Sequence, residues 1–334
     1  MKKSCPGIPV LFFLCSFFLS VSGLFSTEPM ENPFGIMISG VGVEKRLEIA
    51  RNLGVTLYRP GVAIFTETWN GRNEECEAAL KAGLKLVLTV RNGKGPGKPC
   101  TPPANIAEYK KTLGQILEKY HPEVLAIENE ENSQQLFYSG SPEDYLKQLK
   151  AAVDVARQHG VKCTNGGLVC RLVALLMAEK YREEGNVMKA EEILKQALDE
   201  RKYRKALNTP LAKSQIARGR TLLAGYKTTG IDFVNFHWYI PNAFLLKEAI
   251  AFMRQSTDLP VILNELGQQK STDPAEVETL MNVIVQEKVP LAVWFSTDIN
   301  AFAEARGLIE SDGTLRPNGI RFQKFLQTHF GVGK

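Results

Sequence analysis

Ala126-Ile-Glu-Asn-Glu-Glu-Asn132 and Val261-Ile-Leu-Asn-Glu-Leu-Gly267 follow one pattern. Each opens with a short apolar run and closes on an acid. A run without polar alternation reads as a strand buried on both faces, the habit of parallel sheets covered by helices. The acid then arrives at the C-terminal end of that strand.

Working outward, the same unit recurs along the chain. Apolar segments at 34–39, 55–59, 84–90, 124–128, 161–165, 232–237, 260–264 and 290–296 alternate with helical patterns. In 43–53, Leu47, Ala50 and Leu53 fall on one face, and Gly54 stops the helix. In 104–120, Ile106, Tyr109, Leu113, Ile116 and Tyr120 recur three or four apart. Ser141-Pro-Glu-Asp144 supplies an N-cap, a proline at the first helical position and acids that complement the helix dipole. Asp273-Pro-Ala-Glu276 caps the last helix but one in a similar way.

Eight strand–helix units predict an α/β fold, a (β/α)8 TIM barrel over residues 33–330, in preference to an open doubly wound sheet. No Gly-x-Gly-x-x-Gly loop follows the first strand, which argues against a nucleotide site. One connection is too long for a plain barrel unit: about 60 residues separate the fifth and sixth strands. Helical patterns at 173–183, 187–204 and 212–226 fill it, so a helical insertion, 171–211, is expected there. It reads either as a solvated addition or as a lid or docking arm.

Lys2 and Lys3 precede an almost wholly apolar run at 8–19, and Val21-Ser-Gly23 offers small residues for cleavage. Residues 1–26 are therefore expected to be a signal peptide and a short mature N-terminus, and the chain to be secreted or periplasmic. An uncleaved anchor is the alternative, since 8–24 lies near the lower length for spanning a bilayer. Cys76, Cys100, Cys163 and Cys170 would remain after cleavage. An even number in an exported chain suggests disulfides, with three pairings open. Their spacing does not resemble a zinc site. A net charge of +5, from 41 basic and 36 acidic residues without a basic block, excludes a nucleic-acid partner.

In a barrel of this kind the strand C-termini build the active site. Those ends carry Arg59, Asn129, Glu130, His237, Tyr239, Glu265 and Trp294. Two acids on different strands are the equipment for hydrolysing a glycosidic bond, with an oligo- or polysaccharide as partner. Neither cofactor nor metal is called for.

Four motifs make the resemblance specific. Asn129-Glu-Glu-Asn132 resembles the Asn-Glu-Pro-Asn that ends the fourth strand of clan A glycoside hydrolases. His237-Trp-Tyr239, Asn264-Glu-Leu-Gly267 and Asp312-Gly-Thr-Leu-Arg-Pro317 resemble that superfamily's later motifs, in order. The chain is similar to its cellulase-like members and to the β-xylosidase and α-L-iduronidase family. The resemblance implies a retaining glycosidase with Glu130 as acid/base and Glu265 as nucleophile. It further implies that Asn129 binds the sugar 2-hydroxyl, Tyr239 bonds the nucleophile, Arg59 keeps it ionised and Trp294 floors the sugar site, with His237 among the binding residues.

Departures accompany the likeness. Glu128 and Glu131 flank the acid, Glu131 standing in place of proline, and Leu266 replaces an aromatic. If the strand continued, Glu128 would share a face with Glu130. Two rival readings follow: a catalytically inactive carbohydrate-binding or envelope protein, and a metal-dependent barrel enzyme using carboxylates and His237.

Overall fold

Among the described residues, nine strands are laid down in chain order: β1 (Phe34–Ser39), β2 (Leu57–Tyr58), β3 (Ile64–Phe65), β4 (Lys85–Arg91), β5 (Val124–Ile127), β6 (Lys162–Asn165), β7 (Val234–Trp238), β8 (Val261–Leu266) and β9 (Ala292–Thr297). The computed structural model describes residue 1 and residues 31–198, 207–268, 271–297, 307–310 and 312–332. The export signal expected at 1–26, beyond residue 1, and the far end of the 187–204 helix lie outside the described residues.

All the ladders are parallel, in the order β6-β5-β4-β2-β1-β9-β8-β7, and β3 adds to the edge of β4. The two ends of that order, β6 and β7, face each other through the bridges Thr164↔Phe233 and Leu168↔Phe236. Eight of the strands thus form a nearly closed (β/α)8 barrel.

Side chains lace the β6–β7 seam where the backbone ladder is thin. Asn165 Oδ1 accepts from Asn235 N–H at 2.7 Å, and Asn165 Nδ2 donates to Asn235 O at 2.9 Å. Asn235 Nδ2 donates back to Asn165 O at 3.2 Å. On its other side, Asn235 Oδ1 accepts from Asn264 N–H at 3.0 Å. Two asparagine amides therefore act as surrogate backbone, satisfying buried donors and acceptors that a continuous ladder would otherwise pair.

The core has two layers. Leu57, Val87, Val124, Ile262, Leu291 and Val293 fill the barrel interior. Alternate residues of the same strands, such as Ile36, Leu88, Leu125 and Trp294, face outward into a larger apolar layer under the helices. Burial on both faces is why the strands read as apolar runs. Gly35 is required where β1 and β2 close up, since a Cβ there would sit 2.8 Å from Leu57 Cβ.

The helices are α1 (Val43–Leu53), α2 (Glu74–Lys81), α3 (Ile106–Tyr120), α4 (Pro142–Gln158), α5 (Cys170–Glu183), α6 (Val187–Ala197), α7 (Pro210–Thr229), α8 (Ala243–Thr257), α9 (Pro274–Gln286) and α10 (Pro317–Phe330). Ser141 caps α4 by accepting from Asp144 N–H, and Asp273 caps α9 by accepting from Ala275 N–H. Among the described residues, three helices, α5 to α7, occupy the long interval between β6 and β7. Among the described residues, no helix is long and apolar enough to cross a membrane.

The expected disulfides are not formed: Cys76, Cys100, Cys163 and Cys170 are free. Packing takes up the thiols instead. Burial pushes Cys76 and Cys100 up to about 12, so they stay protonated and inert.

Replacing Asn165 with Ala removes both surrogate bonds to Asn235. Buried amide groups left unpaired cost about 1–3 kcal/mol each, so a clear drop in the urea midpoint is expected with an unchanged m-value. An unmoved midpoint would remove the seam from any account of barrel stability.

Candidate active site

β8 gains one residue on both of its neighbours. Its pairing with β7 jumps from Asn235↔Ile262 to His237↔Glu265, and its pairing with β9 jumps from Leu263↔Ala292 to Leu266↔Trp294. Such a bulge re-aims side chains. Here it lets two consecutive residues, Asn264 and Glu265, both reach groups at the barrel mouth.

Glu265 is held at both oxygens. Arg59 Nη1 donates to Oε1 at 2.5 Å, while the Tyr239 hydroxyl donates to Oε2. His237 Nδ1 lies 3.2 Å from Oε2. Burial alone would raise this carboxyl, but His237, Arg59 and the Tyr239 hydrogen bond outweigh it and pull it down to about 2. Burial and the neighbouring Glu265 charge push Tyr239 well above its ordinary value, so its hydroxyl remains a donor.

Arg59 is itself fixed on several strands. It donates from Nη2 to Asn129 Oδ1 at 2.8 Å, from Nε to Thr89 Oγ1 at 3.2 Å and from Nη1 to Asn264 O at 3.2 Å. The same guanidinium therefore orients Asn129, the residue beside the second acid.

Glu130 lies across the mouth. Its Oε1 is 3.0 Å from His237 Nδ1, and the nearest oxygens of Glu130 and Glu265 and the histidine nitrogen all fall within 4.8 Å of one another. The side chain of Glu130 is 18% exposed, whereas His237 is fully buried. Glu130 is thus the acid that faces incoming molecules. His237 Nε2 contacts Asn264 Oδ1 at 2.9 Å, which places a hydrogen on Nε2. Nδ1 then either accepts from a protonated Glu130 or, in the charged ring, donates to the carboxylates. Burial opposes the charged ring, but Glu265 and Glu130 raise His237 above its usual range. Gly167 (φ 106°) makes room for this imidazole, since a Cβ there would sit 2.3 Å from Nε2.

These three donors could gather round a cation. The guanidinium already 2.5 Å from Glu265 competes for the same charge. The donor set therefore suits proton transfer better than metal binding.

The flanking acids do not join the pocket. The strand ends at Ile127, and Glu128 and Glu130 both turn into left-handed backbone, φ 66° and 44°. Glu128 points back into the wall, where Oε1 accepts from Asn92 N–H at 2.6 Å and Gln148 Nε2 at 2.7 Å. Burial raises it to about 7 despite those donors and Arg91. Glu131 is buried too and meets a helix absent from the expected constellation. Tyr226 of α7 donates to Glu131 Oε1, Asn165 Nδ2 does so at 2.7 Å, and Arg218 Nη2 donates to Glu131 O at 2.9 Å and Gly140 O at 2.8 Å. Arg218 and Tyr226 lie about two turns apart on one face of α7. Nothing in the sequence marked that face beyond its helical spacing.

Trp294 does not floor the cavity. Strand alternation turns it outward, where it is fully buried with its ring 5.9 Å from Phe322 of α10. Its neighbour Phe295 lines the cavity, along with Phe65 and Phe137. Leu266 also packs in the outer layer, so its identity does not shape the pocket. Arg59, Asn129, Glu130 and Glu265 line the resulting cavity of about 290 Å³, with His237 and Tyr239 bonded to its two acids.

Residues 215–322 match the family model of the glycosyl hydrolase catalytic core, a stretch that carries His237, Tyr239 and Glu265. No curated protein matches the chain in sequence. Among solved structures, a glucosidase from Croceicoccus marinus is 15% identical with a TM-score of 0.63, over 90% of this chain and 68% of that one. An exo-β-1,4-mannosidase from Opitutaceae bacterium strain TAV5 is 14% identical with a TM-score of 0.58, over 90% of this chain and 60% of its own. An endo-β-1,3-glucanase from Amycolatopsis mediterranei in complex with laminarihexaose is 13% identical with a TM-score of 0.52, over 88% and 99% of the two chains. At such identities the shared property is the fold. By that fold the chain is a (β/α)8 barrel, and its residues 215–322 are similar to a glycosyl hydrolase catalytic core.

Proposed function

We propose that the protein is an exported retaining glycosidase that works by double displacement. The observation that carries this reading is the unequal treatment of two close carboxylates. Glu265 is held ionised by Arg59, Tyr239 and His237, while Glu130 faces the cavity with one imidazole partner. A nucleophile must be charged and an acid catalyst must carry a proton, so the roles follow from the surroundings.

Glu265 attacks the anomeric carbon and forms a glycosyl ester as the bond to the leaving oxygen breaks. Glu130 gives that oxygen its proton. In the second step Glu130 takes a proton from water, the water oxygen bonds to the anomeric carbon, and Glu265 leaves as carboxylate. Retaining pairs stand about 5–5.5 Å apart and inverting pairs about 6.5–9.5 Å. Donor atoms within 4.8 Å support retention. Asn129, fixed by Arg59, is placed to meet a sugar hydroxyl beside the reacting carbon. Because Nε2 is anchored on Asn264, His237 holds a proton next to Glu130 between the two steps. The glucosidase, mannosidase and laminarihexaose-bound glucanase on the same fold support a carbohydrate partner. The apolar run with its basic start at residues 2–24 supports export.

Glu130→Gln is expected to lower turnover of an aryl glycoside about 10²–10⁴-fold, and Glu265→Gln by more, with circular dichroism unchanged. In Glu265→Ala, added azide is expected to restore turnover and yield a glycosyl azide of inverted anomeric configuration by NMR. Full activity in both Gln variants would end the assignment.

Arg59→Met removes a cation from Glu265. The acid limb of kcat/KM, set by the depressed Glu265 carboxyl, is expected to move up toward the ordinary value of 4.5. The sign for folding is the same. A depressed carboxyl contributes stability above its unfolded value of 4.5, and that contribution is lost as the pH falls toward 2. Acid unfolding of Arg59→Met is expected to begin at higher pH, and an unmoved acid limb would detach Arg59 from the nucleophile.

A further inference from the structure

We propose that the substrate is an anionic glycan, carrying carboxylate or sulfate groups, and that Arg91 reads its charge. The proposal rests on the glycosidase reading and deepens it by naming the substrate class.

Two guanidinium groups line the catalytic cavity, and they are engaged differently. Arg59 is matched by Glu265 at 2.5 Å. Arg91, at the end of β4, lies 3.4 Å from Glu128 through Nε alone, and Glu128 directs its other oxygen to Asn92 and Gln148. Arg91 Nη2 donates to Phe137 O at 2.6 Å. No hydrogen bond engages Nη1 among the described residues. The guanidinium sits 5.4 Å from the ring centres of both Phe65 and Phe137, and its side chain is only 8% exposed. Two phenyl rings thus strip water from a planar cation that lines the cavity. A desolvated guanidinium with a free nitrogen selects planar or tetrahedral oxyanions over hydroxyls.

The second observation lies next door. A further cavity of about 380 Å³ shares Pro96 with the first and is lined by Lys94 and Lys98, with Glu67 the only acid on its wall among the described residues. Both lysines are exposed, and neither forms an ion pair among the described residues. Cationic side chains therefore run on from Arg91 along residues 93–101. A polymer bearing one anion per sugar, or per few sugars, meets Arg91 at the reaction centre and the lysines further along.

The test is binding by calorimetry to the wild-type chain, with turnover followed separately. The probes are β-1,4-oligoglucuronate, α-1,4-oligogalacturonate and alginate oligomers, each against its own carboxyl-reduced neutral product, and a sulfated oligosaccharide against its desulfated form. At least one anionic member is expected to bind about tenfold tighter than its neutral twin, and the preference to shrink as NaCl rises. Which pair shows the preference separates carboxylate from sulfate. Arg91→Gln is expected to erase the preference for short oligomers. Lys94→Ala/Lys98→Ala, on an exposed loop, is expected to weaken long oligomers and leave short ones unchanged. Equal or tighter binding of every neutral twin overturns the proposal, as does a preference that survives both sets of substitutions. Tighter anion binding with no turnover of any glycoside would instead keep Arg91 as the reader of anionic glycans but sink the glycosidase reading, and with it the claim that the bound glycan is a substrate.

Discussion

The site depends on one buried guanidinium. Arg59 meets Thr89 on β4, Asn129 beyond β5, and Asn264 and Glu265 on β8, with Met37 of β1 at 3.4 Å. A flat group with five donors in fixed directions can satisfy so many strand ends only if the barrel closes to one geometry. The same contact that keeps Glu265 ionised therefore sets the spacing of the mouth. Lysine, a point charge on a flexible stem, could neutralise Glu265 but could not also orient Asn129.

The opposite wall is built by the opposite means. Glu130 sits in a loop where two non-glycine residues adopt left-handed backbone, each costing roughly 1–2 kcal/mol. That conformation persists because its neighbours are gripped. Glu128 is pinned by Asn92 and Gln148, Glu131 by Tyr226 and Asn165, and the Glu131 and Gly140 carbonyls by Arg218. The three acids of this segment divide their work: one faces the cavity and two anchor it. The anchoring groups on α7 come from the long interval between β6 and β7, just beyond the 171–211 stretch expected as an insertion.

The barrel was legible in the sequence because burial on both faces leaves an unmistakable apolar run, and caps such as Ser141 and Asp273 mark helix starts. Arg59, Asn129, Glu130, His237, Tyr239 and Glu265 were legible because strand ends are where such a fold collects side chains. Trp294 was misplaced for a physical reason: alternation at period two decides inward from outward, and a run apolar at every position hides its phase. Phe295, one residue on, takes the cavity side. Glu128 could not be placed because its direction hangs on a positive φ at the strand end. Arg218 and Tyr226 were silent because their partners, a backbone carbonyl and a carboxylate, are remote in sequence. The cysteines misled because even number and presumed export say nothing of whether thiols lie close enough to join.

The barrel wall is laced at one line and laddered elsewhere. Between β6 and β7, much of what connects the two strands passes through the side chains of Asn165 and Asn235. Side-chain amides can rotate out of a bond, whereas a backbone ladder must unzip. The wall therefore has a designated place to part first. Glu131, beside Glu130, shares Asn165 with that seam, and Asn264, beside Glu265, shares Asn235 with it, so a breath at the seam is felt at both acids. Opening the seam would therefore loosen the supports of both acids together, while the contacts of Arg59 with Thr89 and Asn129 on the far side still hold.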